Sequence, residues 1–205
     1  MKRVLLLVLV LALAGCGGDD GDNGGGEAQE SDCVTQGSAE LPELEEGATY
    51  QLAFKTNQGN FTIELDRDKA PCTSASFVGL TEKGFFNGLK FHRIVPGFVI
   101  QGGDPEGNST GGPGYSTVDE PPDEDGLYKK GVVAMAKTLS DPRGTAGSQF
   151  FIVTAEDAGL PPDYAVLGKV VDGLDVVEKI GKLGNPQTEK PTERIVIRST
   201  SVSGD

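Results

Sequence analysis

The chain has 205 residues, 37% of them hydrophobic and 6% aromatic, enough for one domain of ordinary size and too little for a protein of many membrane spans. Its formal net charge is -13, with 18 Lys and Arg against 31 Asp and Glu; that balance argues against a nucleic-acid partner, because phosphate binding needs clustered cations. The 30 glycines and 12 prolines make turns frequent, as in an all-β chain.

Met1-Lys2-Arg3 is a basic head, and Val4 to Ala14 is an apolar run too short to span a bilayer as a stable helix. Leu13-Ala14-Gly15-Cys16 follows and reads as a lipobox. Residues 1-15 are therefore expected to be a lipoprotein signal peptide, with Cys16 acylated after cleavage. Cleavage removes Lys2 and Arg3 and takes the formal charge from -13 to -15. A multiply acylated cysteine anchors stably, whereas one acyl chain does so only marginally. The expected location is extracytoplasmic, lipid-anchored to a bacterial cell membrane.

Residues 16-48 are read as an acidic, Gly-rich tether. Within it, 17–31 has no apolar period, and 32–47 is transitional, with Leu41, Pro42 and Leu44 able to touch a domain. Cys33 and Cys72 are left over outside the cytoplasm. They are either bridged or two buried thiols; closing their 39-residue separation would stabilise by about 4 kcal/mol.

The domain is expected over 49-205. Tyr50, Leu52 and Phe54 alternate with Gln51, Ala53 and Lys55, and Phe61, Ile63 and Leu65 with Asn60, Thr62 and Glu64; Asn57-Gln58-Gly59 between them predicts a hairpin. Pro71 to Lys83 predicts a helix, with Phe77 and Leu80 on one face and Gly84 just past its end. Phe91 to Asp104 reads as strand, Pro-Gly bend and strand, and sets the cation Arg93 among apolar neighbours. Gly102 to Gly131 is Gly- and Pro-rich. Its acids Asp119, Glu120, Asp123, Glu124 and Asp125 match no EF-hand spacing, so a solvated loop is expected. Val132 to Ala136, Gln149 to Thr154, Ala165 to Val171 and Ile195 to Val202 complete eight strands. Leu174 to Lys182 predicts the second helix, with Asp175 in its first turn and Lys179 and Lys182 toward its end, as the helix dipole favours. Closely spaced strands without a fixed repeat suggest a sandwich or a closed barrel.

One histidine, His92, rules out an HExxH zinc site or a His cluster. No serine sits in a nucleophile elbow, and Ser109-Thr110-Gly111-Gly112 lacks the Lys-Ser/Thr of a P-loop. Neither covalent, metal nor phosphoryl chemistry is suggested, and no cofactor or metal is expected. What stands out is a guanidinium beside aromatic and amide side chains.

That stretch, Phe91 to Asp104, resembles the signature of the cyclophilin family of peptidyl-prolyl cis-trans isomerases. The resemblance continues through Thr110-Gly111-Gly112, Val133-Ala134-Met135-Ala136, Gly147-Ser148-Gln149-Phe150-Phe151-Ile152 and Val166-Leu167-Gly168-Lys169-Val170. It implies a mainly β fold, a closed eight-stranded antiparallel barrel capped by two α-helices. It also implies acceleration of X-Pro bond rotation in unfolded or exported proteins, with proline-containing polypeptides as partners; with the charge balance and the lipobox, the expectation is a monomer that binds no nucleic acid and meets the membrane only through its lipid. The rival reading is a binding or chaperone module that grips proline segments without turnover; Arg93, Phe98, Gln101 and Phe151 occurring together favour the enzyme.

By the same resemblance Arg93 is the catalytic group. Phe98, Phe151 and Leu160 form the proline pocket, with Val99 where methionine is common. Gln101 holds the arginine or the substrate backbone, Gln149 lies alongside, and backbone around Ala136 pairs with the peptide. Tyr164 replaces a frequent histidine. His92 either lines the site or is structural. Gly159 stands where the family often has tryptophan, a position the resemblance links to cyclosporin. Lys137 and Thr138 replace asparagine and alanine, and Ser109 a glycine.

Overall fold

The first hairpin sets the frame. β2 (Tyr50–Thr56) and β3 (Asn60–Leu65) pair antiparallel, and Leu52, Phe54, Phe61 and Ile63 turn to one face and are fully or almost fully buried. The computed structural model describes residues 32–204; residues 1-15, Cys16 and the tether through residue 31 lie outside them. Further along come β4 (Arg93–Val95), β5 (Val99–Gly102), β7 (Val132–Met135), β8 (Phe150–Val153), β9 (Val166–Asp172) and β10 (Ile197–Gly204). With β2 and β3 they form one eight-stranded antiparallel sheet in the order β10-β2-β3-β9-β7-β8-β5-β4. β1 (Val34–Gln36) and β6 (Ser116–Thr117) make a separate two-stranded ladder.

The expected barrel closure is not met; the sheet is an open half-barrel. Its two end strands, β4 and β10, are not laddered together, and a single bridge, Lys90 to Val196, lies in the gap. The reason is local. The outer edge of β4 is taken by the loop after the second helix, whose Glu189 carbonyl accepts the Ile94 N–H at 2.8 Å.

α1 (Pro71–Glu82) lies against β10 and β6, and α2 (Leu174–Gly181) against β3, β4 and β5. Both agree with the expected helices to within a residue. α1 has no capping side chain at Ala70. Instead the Glu120 carboxylate accepts the N–H groups of Cys72 and Thr73, each at 2.8 Å, and the Thr73 hydroxyl at 2.6 Å. An anion there satisfies orphan donors and suits the helix dipole. Asp119 accepts the Thr145 hydroxyl at 2.8 Å, so these two acids are structural rather than part of a merely solvated loop.

Order also begins earlier than Thr49. Cys33 is disulfide-bonded to Cys72 at the start of α1, β1 pairs with β6, and Leu44 packs on the core. Residues 32–48 are thus a strap fastened to the domain, and the tether expected over 16-48 does not extend through them.

Between sheet and helices lies the main core, where Phe54 stacks on Phe61 at 5.1 Å and Phe77 meets Phe150 edge-on at 5.9 Å. A smaller cluster of Val99, Tyr128, Ala134, Phe151 and Val153 forms separately, with Phe98, Ala136, Leu160 and Tyr164 packed against it. The candidate site is built on this second cluster.

Candidate active site

Strand register gathers the site. Arg93 lies opposite Gln101, Gln101 opposite Phe151, and Phe151 opposite Ala134, one row across β4, β5, β8 and β7. Residues in one row share a face, which brings together side chains far apart in the chain. The double glycine after Gln101 permits the close packing behind the row. A Cβ on Gly103, whose φ is +82°, would stand 2.1 Å from the Ser148 carbonyl oxygen, and one on Gly102 would meet the Phe91 ring at 3.1 Å.

Arg93 is held on two arms. Its Nε donates to Glu189 Oε2 at 2.6 Å, and its Nη1 to Gln101 Oε1 at 3.2 Å. The restraint continues outward: Gln101 Nε2 donates to Gln149 Oε1 at 3.1 Å, and Gln149 Nε2 to the Gly111 carbonyl at 2.8 Å. Gln101 is only 8% exposed, so its amide has little freedom to reorient. Nη2 is the arm these contacts leave for a substrate.

Beside the guanidinium is a cavity of about 190 Å³ lined by Arg93, Phe98, Val99, Gln101, Ala136, Lys137, Phe151, Leu160 and Tyr164. Phe98 sits on the Pro96-Gly97 bend, and its carbonyl accepts the N–H groups of Thr154 and Ala155, at 2.8 and 3.2 Å. Phe151 and Tyr164 meet edge-on at 5.5 Å. Behind them the buried Tyr128 hydroxyl donates to the Tyr164 carbonyl at 2.8 Å and accepts its N–H at 3.0 Å. Ala136 gives its N–H to Gln149 O at 2.9 Å, which leaves its carbonyl for a passing chain. The result is a hole sized for a small ring, with an apolar wall of Phe98, Val99, Phe151 and Leu160 and a fixed cation at its mouth.

Most of the site residues expected from sequence therefore meet at one cavity, with Gln149 one hydrogen bond behind. His92 is the exception. It lines a different groove, beside Lys90, Lys190 and Arg194, and both ring nitrogens are buried without a hydrogen-bond partner among the described residues. Strand alternation turns His92 away from the face that Arg93 occupies. Burial pushes its pKa down from 6.5, with Arg93 and Lys90 adding to the effect and Asp104 opposing it. This placement supports the structural reading of His92 over the lining one.

Glu189 and Tyr128 were not expected at the site. Glu189 is 96 residues from Arg93 and adopts φ +55°, unusual for a non-glycine residue. No local pattern in the sequence marks it. Gly159 is exposed with φ +61°, and nothing stands within 4 Å of where its Cβ would be. Ser109 also has a positive φ, of 73°, a conformation that explains a glycine preference at that position.

A family model described as cyclophilin type peptidyl-prolyl cis-trans isomerase/CLD matches residues 51–202. The chain belongs to the cyclophilin family. Among curated relatives, the cyclophilin is 41% identical over 143 residues to a peptidyl-prolyl cis-trans isomerase of Helicobacter pylori, covering 69% of this chain and 86% of that protein. It is 38% identical over 173 residues to peptidyl-prolyl cis-trans isomerase A of Mycobacterium tuberculosis, covering 76% and 93%. Among solved structures, a Cryptosporidium parvum cyclophilin type peptidyl-prolyl cis-trans isomerase superposes with a TM-score of 0.68 at 28% identity, covering 76% of this chain and 98% of that one. The same protein has also been solved in the presence of the dipeptide Ala-Pro. This cyclophilin is a peptidyl-prolyl cis-trans isomerase.

Proposed function

We propose that Arg93 is the catalytic group and that the cavity among Phe98, Phe151 and Leu160 grips the proline ring. Rotation about an X-Pro bond must break amide resonance, against a barrier of roughly 18–20 kcal/mol. As the bond twists, the prolyl nitrogen recovers its lone pair and becomes a hydrogen-bond acceptor. A guanidinium N–H aimed at it gains a bond that the planar ground state does not offer, so binding strengthens in the twisted state. No proton is transferred and no heavy-atom bond forms or breaks, so no nucleophile is needed. The observation that carries this reading is the two-armed hold on Arg93 by Glu189 and Gln101 at the cavity mouth. A preorganised donor does not have to be ordered at the moment of reaction. The relative solved in the presence of Ala-Pro agrees with a proline-bearing peptide as substrate.

The clients in this reading are unfolded or exported polypeptides, met outside the cytoplasm by an enzyme lipid-anchored through Cys16. Two features support it: the Leu13-Ala14-Gly15-Cys16 sequence and a disulfide between Cys33 and Cys72, a bond favoured in oxidising compartments. Residues 17–31 would then tether the enzyme to the membrane, and it would act as a monomer.

The test is isomerisation of a proline peptide by the full chain and its Arg93→Ala variant. Clear acceleration by the parent and a loss of about 100-fold or more in the variant are expected; equal rates contradict the role of Arg93. For the anchor, Cys16→Ser should abolish incorporation of labelled fatty acid and release the enzyme from membranes, and unchanged labelling contradicts it.

A further inference from the structure

Lys137 stands where two cavities meet. The proline cavity and a neighbouring groove of about 630 Å³ share only Gln101, Ala136 and Lys137. The Lys137 side chain is half-buried, and its Nζ donates to the carbonyls of Asp141 at 3.3 Å and Thr138 at 3.4 Å and lies 5.4 Å from the centre of the Tyr164 ring. All three partners are uncharged. The Asp141 carboxylate is turned to the Thr138 N–H at 2.7 Å. Arg93, the other cation at the cavity, is matched by Glu189 at 2.6 Å, whereas no ion pair of Lys137 occurs among the described residues. An unmatched positive charge is therefore held in place on a molecule whose net charge is -13.

The path of the substrate follows from the isomerase reading, on which this inference rests. With the proline ring among Phe98, Phe151 and Leu160 and its nitrogen toward Arg93, the preceding residue must leave on the Arg93 and Gln101 side. Gln101 and Ala136 form the shared wall, so the chain before the proline passes into the larger groove beside Lys137. We infer that Lys137 is a specificity residue, selecting an acidic side chain at one of the two positions before the proline. Asp141 is the one acid among the residues lining the larger groove, and its carboxylate is turned to the Thr138 N–H rather than to the Lys137 ammonium.

The experiment measures kcat/KM for peptides carrying Glu, Gln or Lys at each of the two positions before proline, with the full chain, Lys137→Gln and Lys137→Glu. At low salt the parent should favour Glu over Lys by about threefold or more at one position, the size expected of a partly exposed ion pair. The preference should shrink as salt is added, vanish in Lys137→Gln and invert in Lys137→Glu. Each ratio is internal to one protein, so a variant that is partly unfolded still reports it. A Glu-to-Lys ratio that is the same in all three proteins, or near one in the parent, overturns the inference while leaving the isomerase reading intact. Failure of the parent to accelerate the neutral Gln peptide overturns both.

Discussion

Arg93 owes its position to two residues, Gln101 on the facing strand and Glu189, which lies 96 residues along the chain. A free arginine side chain samples many rotamers, and freezing one costs about 2 kcal/mol. Here Glu189 and Gln101 have already fixed the fork before a peptide arrives. Glu189 is thus a positioning residue, and its φ of +55° is the strain its loop carries to deliver the carboxylate. Glu189→Ala should slow isomerisation about tenfold, equivalent to about 1.4 kcal/mol, whereas Glu189→Gln, which can still accept the Nε–H, should keep most of the rate. In an Arg93→Ala background Glu189→Ala should have no further effect on the rate; a full additional loss there would mean that Glu189 acts independently of the arginine. His92 makes a second prediction. Its folded pKa is depressed by burial, so the unfolded chain takes up a proton as pH falls below about 6.5 while the folded one does not. Its contribution to stability is complete above that pH and is lost as the pH falls toward the folded value. As His92 is the one histidine in the chain, urea unfolding between pH 7 and 5.5 should show this slope in the parent and not in His92→Gln. Parallel curves would contradict it. Arg93 stood out in the sequence as a cation among apolar neighbours, but its expected role came from the resemblance of Phe91 to Asp104 to the cyclophilin signature. Glu189 was not, because nothing in the local pattern of Gln187-Thr188-Glu189-Lys190 distinguishes it from a solvated turn.

Strand β8 separates folding from function in two consecutive residues. Phe150 points into the main core, meeting the rings of Phe54, Phe77, Phe86 and Phe91, while Phe151 faces the cavity beside Arg93, the proposed proline site. Phe150→Ala should lower stability by about 3–5 kcal/mol, as truncation of a fully enclosed ring does. Phe151→Ala should cost less stability and more activity. Denaturant midpoints and kcat/KM measured side by side check this, and a larger stability loss for Phe151→Ala would refute the division. The eight sheet strands were readable because β2 and β3 alternate with period two, β7 and β8 are short apolar runs, and glycine and proline punctuate the chain. The β1–β6 ladder was not, since strands of three and two residues carry no period. Nor was the role of Glu120: a helix whose cap comes from 47 residues away leaves no signature at its own start.

At the scale of the molecule, the departure from a closed barrel and the construction of the site are one feature. The loop between α2 and β10 carries Glu189 and hydrogen-bonds to the edge of β4, where a closing strand would otherwise pair. The same loop brings the Glu189 carboxylate to Arg93. Strand count and family motifs could not foresee this, because closure depends on which partner wins the β4 edge, a competition decided by tertiary contacts. The strap at residues 32–48 was foreseen only in its parts, a possible Cys33–Cys72 bridge and contacts by Leu44, because its order comes from these and a short ladder rather than from any internal period. What the whole arrangement claims is that peptide binding and bond rotation are separable, with the aromatic cavity doing the first and the guanidinium the second. Magnetisation exchange between the cis and trans forms of a proline peptide, recorded with a titration of its affinity, measures both quantities in the full chain and in Arg93→Ala. The account predicts that the variant binds within about threefold of the parent while its catalysed exchange falls by about 100-fold or more. Exchange that persists in Arg93→Ala, or that falls only in proportion to lost binding, would contradict it.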